Sequence, residues 1–183
     1  MIATRWWWIR HAPVISPPGR IYGQSDVPAD LSDTDAFAAL ARLLPEAAVW
    51  VTSHLSRTRA TAAALARAAA AAGGACPPEP LVEPALVEQN FGAWQGRTYA
   101  EIGAFGHQGA GIESHRLWLA PAQFAPPGGE SFVEVMARVA GAVERLAEAH
   151  AGRDIVAVAH GGTIRAALAH ALELAPEAAL AFS

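Results

Sequence analysis

The sequence predicts an α/β fold, a three-layer α/β/α sandwich around a mainly parallel central sheet. Three short apolar runs, at Thr4 to Ile9, Val49 to Ser53 and Asp154 to Ala159, are predicted as strands. The first and the last lack the polar and apolar alternation of half-exposed strands, which indicates burial on both faces. Segments with helical spacing alternate with these strands through short connections, which is typical of a parallel sheet covered by helices.

Helices are predicted between the strands and after them. Ser32 could cap a helix over about Asp33 to Leu44, and a second helix runs from about Arg57 to Ala72, ended by Gly73 and Gly74. Further along the chain we expect an extended segment from Leu81 to Leu86, a turn over 90–97, a short helix near 98–105, a helix over 131–150, a tight turn at 160–162 and a helix from 163 to about 173.

The chain is predicted to form one domain over residues 1–183, with an irregular excursion at about 98–129. Scattered Gly and Pro residues between Gly106 and Gly129 indicate this excursion, which we expect to pass over the active-site face. One helical turn is expected near His115 to Leu119. At the end of the sequence, Ala178 to Ser183 could begin a further strand.

The composition limits the classes of function. The formal net charge is -4, which does not indicate nucleic-acid binding, and no apolar run approaches the roughly 18 residues that cross a bilayer. Cys76 is the single cysteine, so no disulfide forms within the chain, which fits the cytoplasm. All 13 residues counted as Lys or Arg are Arg, so an anion site must use Arg, His and backbone N–H groups.

Polar clusters follow the ends of the predicted strands. Arg10 and His11 follow the first strand, Ser53 to Arg57 follows the second, and His160 with Gly161 follows the last. Ligands of open parallel sheets bind at the carboxyl ends of the strands, so these clusters are expected to converge at one sheet edge.

Each of these residues has an ordinary structural explanation when taken alone. An isolated His11 or His160 is more often a structural or surface histidine, and Glu88 is more often a solvated loop carboxylate. Arg10 at the end of a buried strand requires an anionic partner, and Arg57 near a helix start opposes the helix dipole. Together they indicate an anion held by cations and a helix start, with Glu88 placed to protonate a leaving oxygen.

Other chemistries lack their motifs. No His-x-x-x-His pair or carboxylate cluster has the spacing of metal ligands, so no metal and no cofactor is predicted. A Walker loop is impossible without Lys, and no Gly-x-Ser-x-Gly elbow occurs. A phosphate dianion fits the predicted set of side chains best.

Four segments together resemble the histidine phosphatase superfamily, which includes the cofactor-dependent phosphoglycerate mutases. They occur in the order of the family, within residues 9–162. The first resembles the family's Arg-His-Gly signature, the second its Ser-x-Leu-x-Arg-x-x-x-Thr-Ala segment, the third its acid-bearing loop and the fourth its second histidine segment. The segments are Ile9 to Ala12, Ser53 to Ala62, Leu86 to Gly96 and Val158 to Gly162.

The resemblance implies a phosphoglycerate mutase-like fold and a role for each matched residue. His11 is the implied nucleophile and Glu88 the implied proton donor. The phosphate is held by Arg10, Arg57 and His160, with the backbone at Gly161 close to the ligand. Arg59 does not fall on the family's Arg position and is interpreted as supporting charge or a salt bridge.

Two positions depart from the pattern of the family. Ala12 replaces the usual Gly, which is a mild change if the backbone there has a negative φ. Pro17 stands where many members carry a phosphate-binding Asn. We expect backbone groups around Tyr22 and Gly23 to supply the missing donor.

The implied mechanism has two steps and forms a phosphohistidine. The expected substrate is a small phosphorylated metabolite, and inorganic phosphate also binds. Hydrolysis is favoured over mutase chemistry because the tract after Thr98 offers only Arg116 for a substrate carboxylate. The segment Gly19 to Pro28 resembles a loop of α-ribazole phosphatases, which suggests α-ribazole 5'-phosphate and cobalamin biosynthesis. A non-catalytic phosphate-binding module is the alternative from another class; a monomer or homodimer is expected.

Overall fold

The computed structural model describes residues 3–106 and 120–182. The chain divides into two compact units. The first comprises Met1–Ile15, Asp26–Val87 and Ala142–His160, and the second comprises Ser16–Ser25, Glu88–Gly141 and Gly161–Ser183. Arg10, His11, Arg57 and His160 belong to the first unit, and Tyr22, Gly23, Glu88 and Gly161 belong to the second.

The first unit contains a four-stranded sheet in the order β1-β4-β2-β3. All three neighbouring strand pairs are parallel, which confirms the predicted α/β class. In the register, Ile9 and Thr52 both lie beside Val158. The carboxyl ends of β1, β4 and β2 therefore reach the same edge of the sheet. The strands are β1 (Arg5–Arg10), β2 (Val49–Thr52), β3 (Leu81–Val82) and β4 (Asp154–Ala159).

Both faces of the central strands are buried. One face packs into an apolar cluster in which Trp50, Val156 and Val158 meet Ala62 and Leu65. The opposite face is also closed, because Val51, Ile155 and Ala157 have no exposed surface. A sheet that is covered on both faces is the arrangement that the continuous apolar runs predict.

The first strand is less buried than predicted. Among the residues of β1, Ile9 alone is classed as buried, and Arg10 at the end of the strand is exposed. The reason is its position at the edge of the described sheet, next to β4 only. The expectation that Arg10 needs a partner because its strand is buried is therefore wrong.

Six α-helices accompany the strands in the described residues. The predicted second helix is confirmed as α2, and the helices predicted near 98–105 and over 131–150 are confirmed as α3 and α4. Ser131 and Glu134 form a reciprocal capping box at the start of α4. The helices are α1 (Thr34–Ala41), α2 (Ser56–Ala71), α3 (Tyr99–Gly106), α4 (Phe132–Ala149), α5 (Gly161–Ala171) and α6 (Pro176–Ala179).

Four local predictions are corrected by the structure. The cap of α1 is Asp33 rather than Ser32, because the Asp33 carboxylate accepts the Ala36 N–H at 2.9 Å. Only Leu81–Val82 of the predicted extended segment is strand, since Pro84–Leu86 forms a 3-10 helix. The residues after His160 begin α5 directly instead of forming a tight turn, and the segment expected to start a further strand contains the end of α6.

The second unit has its own apolar core around the acid-bearing loop. Ile21, Phe91, Trp94 and Ile102 are buried together, and Phe124 stacks on Trp94 with ring centroids 5.6 Å apart. The helical turn predicted near residues 115–119 lies outside the described residues. In the described ranges, every helix is too short or too polar to cross a membrane.

Candidate active site

Two histidines follow directly after adjacent parallel strands of the first unit. Arg10 and Ala159, the last residues of β1 and β4, are register partners. The backbone extends this ladder by one bond, since His11 N–H donates to Ala159 O at 3.0 Å. The strand register therefore brings His11 and His160 together, as the sequence predicts, with ring centroids 5.3 Å apart.

The His11 ring is held with one nitrogen defined as a donor. Its Nδ1 lies 2.7 Å from Ala12 O, and because a carbonyl oxygen only accepts, Nδ1 carries the proton. The lone pair of the neutral ring is then at Nε2. Burial lowers the pKa of His11 to about 4, against the raising effect of the Ala12 hydrogen bond, and the charges of Arg57 and Arg10 lower it further. At neutral pH this imidazole is therefore uncharged, which is the form that can act as a nucleophile.

The second histidine is fixed by a buried hydroxyl network. His160 Nε2 lies 2.8 Å from Ser53 Oγ, and Ser53 Oγ lies 3.0 Å from Thr58 Oγ1. Thr58 Oγ1 in turn donates to Leu55 O at 2.9 Å. Because Ser53, Thr58 and His160 have no exposed surface, this network fixes the orientation of the His160 ring.

Arg57 is a fully buried cation in the first turn of α2. A buried guanidinium needs anionic or polar neighbours, and its charge acts on His11, whose pKa it lowers. Its backbone is also linked through Thr61 to the residue after His11, because Arg57 O accepts from Thr61 Oγ1 at 2.8 Å. Thr61 Oγ1 accepts from Ala12 N–H at 2.9 Å. Arg10, although exposed, contributes a second positive charge to the surroundings of His11.

The start of α2 is occupied by a carboxylate of the chain itself. Asp26 Oδ1 accepts from Ser56 N–H at 2.8 Å and from Ser56 Oγ at 2.6 Å. These hydrogen bonds, led by the one from the hydroxyl, lower the pKa of Asp26, so it is charged at neutral pH. Asp26 thus accepts from donors at the helix start where the sequence predicts a bound anion. Arg59 is exposed, in contrast to the buried Arg57.

Glu88 belongs to the second unit, where its carboxylate is held by backbone donors. Glu88 Oε1 accepts from Gln89 N–H at 2.9 Å and from Gly162 N–H at 3.1 Å. The carbonyl of Glu88 accepts from Gln24 Nε2 at 2.9 Å and from Arg138 at 3.2 Å. Both the side chain and the backbone of the predicted acid are thus fixed.

The remaining predicted site residues also lie in the second unit. Tyr22 is half-buried, and Gly161 is the first residue of α5. Gly23 has a φ of 47°, and an added Cβ would come within 2.5 Å of Gln95 Oε1. Glycine is therefore required at position 23 both by its conformation and by close packing.

The described residues contain no group of three or more His, Cys, Asp and Glu side chains arranged to hold a metal ion. The anion-binding potential of the first unit comes instead from guanidinium and imidazole groups. Such groups bind and stabilise phosphoryl oxygens.

Sequence reasoning assigned no role to several residues that shape these sites. Ser53 and Thr61 occur in the quoted second segment, but their contacts across the fold could not be inferred from it. Arg138 gives no local signal, because its partner Glu130 lies eight residues away and before the helix. The segment Gly128 to Ser131, which is rich in turn residues, could have directed attention to Glu130.

The chain matches the family model described as "Histidine phosphatase superfamily (branch 1)" over residues 6–183. It is 38% identical over 123 residues to the bifunctional protein Rv2228c of Mycobacterium tuberculosis. These residues cover 67% of this chain and 30% of that relative. It is 35% identical over 167 residues to a glucosyl-3-phosphoglycerate phosphatase of Mycolicibacterium vanbaalenii, covering 85% of this chain and 68% of that protein. The chain thus spans less than a third of the length of the first of these relatives.

Two solved structures are similar over most of the chain. A mycobacterial glucosyl-3-phosphoglycerate phosphatase in complex with inorganic phosphate is 30% identical, with a TM-score of 0.70, over 96% of this chain and 82% of that one. A putative alpha-ribazole-5'-P phosphatase from Escherichia coli is 25% identical, with a TM-score of 0.76, over 98% of this chain and 85% of that one.

Proposed function

Because this chain belongs to the histidine phosphatase superfamily, we propose that it is a metal-independent phosphomonoesterase that forms a phosphohistidine at His11. The observation that carries the proposal is the arrangement around that residue. A buried, neutral imidazole with its lone pair at Nε2 lies beside the His160 ring and within the field of Arg57 and Arg10. This arrangement combines a nucleophile with cations that stabilise phosphoryl oxygens.

In the first proposed step, His11 Nε2 attacks phosphorus and the bond between phosphorus and the leaving oxygen breaks. The electron pair of that bond goes to the leaving oxygen, which takes a proton from the Glu88 carboxyl. Arg10, Arg57 and His160 hold the phosphoryl oxygens, and backbone groups at Tyr22, Gly23 and Gly161 are proposed to assist.

In the second proposed step, water attacks the phosphorus of phospho-His11 and the bond between Nε2 and phosphorus breaks. Glu88, now a carboxylate, accepts the proton of the water. The products are inorganic phosphate and the dephosphorylated alcohol. No metal ion or cofactor takes part in this sequence.

The proposed substrate class is a small phosphorylated metabolite in the cytoplasm. Similar proteins named for glucosyl-3-phosphoglycerate and for α-ribazole 5'-phosphate support this class, and α-ribazole 5'-phosphate is the specific candidate favoured by the segment Gly19 to Pro28. Turnover across a panel that contains both compounds and 3-phosphoglycerate would identify the preferred substrate.

A phosphoglycerate mutase is the second candidate. A 2,3-bisphosphoglycerate-dependent phosphoglycerate mutase 2 of Gloeobacter violaceus is 34% identical over 179 residues, which cover 92% of this chain and 76% of the mutase. A mutase must also bind the carboxylate of phosphoglycerate. Isomerisation of 3-phosphoglycerate faster than its hydrolysis would favour this candidate over the phosphatase.

The test of the proposed function is hydrolysis of p-nitrophenyl phosphate in the presence of EDTA. We expect turnover that EDTA does not reduce and that His11→Ala abolishes. A non-catalytic phosphate-binding module would bind phosphate without releasing p-nitrophenol. Loss of turnover on adding EDTA would contradict the metal-independent mechanism.

A further inference from the structure

Gly162 contacts the carboxylate of Glu88, the proposed acid. Its N–H lies 3.1 Å from Glu88 Oε1 and 3.4 Å from Glu88 Oε2, at the start of α5. Both residues belong to the second unit. The Glu88 carboxylate therefore lies directly over the first turn of a helix of 11 residues, where the helix dipole favours negative charge.

Backbone conformation does not explain the glycine at this position. Gly162 is not among the glycines with a positive φ, and it lies in an α-helix, where alanine is the better helix former by about 1 kcal/mol. The space around it does explain the glycine. A Cβ at position 162 would lie 2.4 Å from Glu88 Oε1 and 3.5 Å from Glu88 Cδ.

The backbone of Glu88 cannot easily move away from such a Cβ. Its carbonyl is held by Gln24 Nε2 at 2.9 Å and by Arg138 at 3.2 Å. Arg138 is itself fixed by two hydrogen bonds to Glu130, of 2.9 and 2.8 Å. A methyl group at position 162 would therefore displace the carboxylate by side-chain rotation and leave the loop in place.

We propose that Gly162 is a positioning residue, which places the Glu88 carboxyl for proton transfer by donating its N–H and by lacking a side chain. This inference rests on the proposed function, in which Glu88 gives its proton to the leaving oxygen. Displacing the carboxyl slows that transfer without removing the nucleophile or the cations.

The dependence of rate on the leaving group separates this role from a structural one. An alkoxide is a strong base and needs the proton, whereas p-nitrophenolate is a weak base and departs without it. The comparison uses kcat/KM, which reports the steps up to departure of the leaving group and excludes the later hydrolysis of phospho-His11, in which Glu88 is the proposed base. Gly162→Ala should reduce kcat/KM for an alkyl phosphate, such as glycerol phosphate, about 10- to 100-fold, because a correctly positioned general acid contributes about a hundredfold or more. It should reduce kcat/KM for p-nitrophenyl phosphate less than about threefold.

Gly103→Ala is the matched control, because Gly103 is also helical and an added Cβ meets no atom within 4 Å. We expect it to leave both rates unchanged. Glu88→Gln should show the same leaving-group dependence as Gly162→Ala, and the double variant should be no slower than Glu88→Gln alone. This non-additivity is expected because both changes affect one proton transfer.

The inference is overturned if Gly162→Ala unfolds at the wild-type temperature and loses activity equally on both substrates. It is also overturned if that protein loses no activity on the alkyl phosphate. A wild-type protein that hydrolyses neither compound would instead refute the proposed function. The two failures are therefore distinguished by the wild-type rates.

Discussion

His11 and His160 lie with their ring centroids 5.3 Å apart and their planes at 61°, in an edge-on arrangement. The pair results from the strand register, because Arg10 and Ala159 are partners in the parallel ladder and each histidine follows its partner directly. The relative position of the two imidazoles is thus set by backbone hydrogen bonds in the sheet. Rigid elements of this kind hold catalytic groups more accurately than loops do.

Replacement of Arg57 tests the buried cation. Arg57→Ala should lower kcat/KM for p-nitrophenyl phosphate by about 100- to 1000-fold, which is the usual loss when one charge-stabilising donor is removed. The control is Arg59→Ala, since Arg59 is exposed on the same helix turn and should change kcat/KM less than about twofold. Equal losses in the two variants would mean that general positive charge, rather than the buried guanidinium, matters.

The lowered pKa of His11 predicts a dependence of stability on pH. The folded pKa of about 4 lies below the ordinary value of 6.5, so between these values the unfolded chain binds the proton and the folded chain does not. The His11 contribution is therefore constant above pH 6.5 and becomes more unfavourable to folding as pH falls towards 4. Between pH 7.5 and 4.5 this destabilises the protein by about 2.5 kcal/mol.

Urea unfolding of wild type and His11→Asn at both pH values measures this contribution. The loss of unfolding free energy on acidification should be smaller in His11→Asn by about 2.5 kcal/mol, because the variant lacks the titrating group. If the two proteins lose equal stability, the ring is not buried in its neutral form.

Removal of the Ser53 hydroxyl tests the network around His160. Ser53→Ala removes the 2.8 Å hydrogen bond to His160 Nε2 within a fully buried site, which should cost about 1–3 kcal/mol of unfolding free energy. It should also weaken the binding of inorganic phosphate, measured by calorimetry, because the His160 ring loses a hydrogen bond that orients it. Ser32→Ala, at an exposed serine of the same unit, should change neither quantity. Unaltered phosphate affinity in Ser53→Ala would contradict the role of this network.

Two arginines of α4 provide a matched test of how the acid loop is held. Arg138 makes two hydrogen bonds to Glu130 and one to the Glu88 carbonyl, and 21% of its side chain is exposed. Arg145 lies 3.3 Å from Glu83, and 62% of its side chain is exposed. Arg138→Ala should therefore lower the unfolding free energy by about 1–2 kcal/mol, and Arg145→Ala by less than about 0.5 kcal/mol.

The same two variants should differ in activity on the alkyl phosphate. Arg138→Ala should reduce kcat by loosening the Glu88 backbone, whereas Arg145→Ala should leave it unchanged. A full wild-type rate in Arg138→Ala would show that the loop is held adequately without this side chain.

The sequence predicts much of the sheet because its signals are local. The buried run Asp154 to Ala159 matches β4 residue for residue, and Gly73 with Gly74 marks the end of α2. The edge position of β1 could not be predicted, since strand order is a property of the whole chain. Its exposed Arg10 is a consequence of that order.

The nearness of the two histidines was predictable from strand ends, but the contacts that orient them were not. Ser53 is 107 residues from His160, and Gly162 is 74 residues from Glu88. Contacts over such separations depend on the packed structure, and they leave no periodic pattern in the sequence. The contact of Asp26 with Ser56 at the start of α2 spans 30 residues and is equally invisible in the sequence.

Trapping the phosphoenzyme tests the central claim most directly. The protein is mixed with p-nitrophenyl phosphate, quenched under alkaline conditions that preserve phosphohistidine, and digested for mass spectrometry. We predict a phosphoryl group on His11 in the wild type and no phosphoryl group in His11→Ala. With an alkyl phosphate, Glu88→Gln should accumulate more phosphohistidine than the wild type only if its breakdown is slowed more than its formation. Phosphorylation of another residue, or wild-type turnover by His11→Ala, would contradict the account.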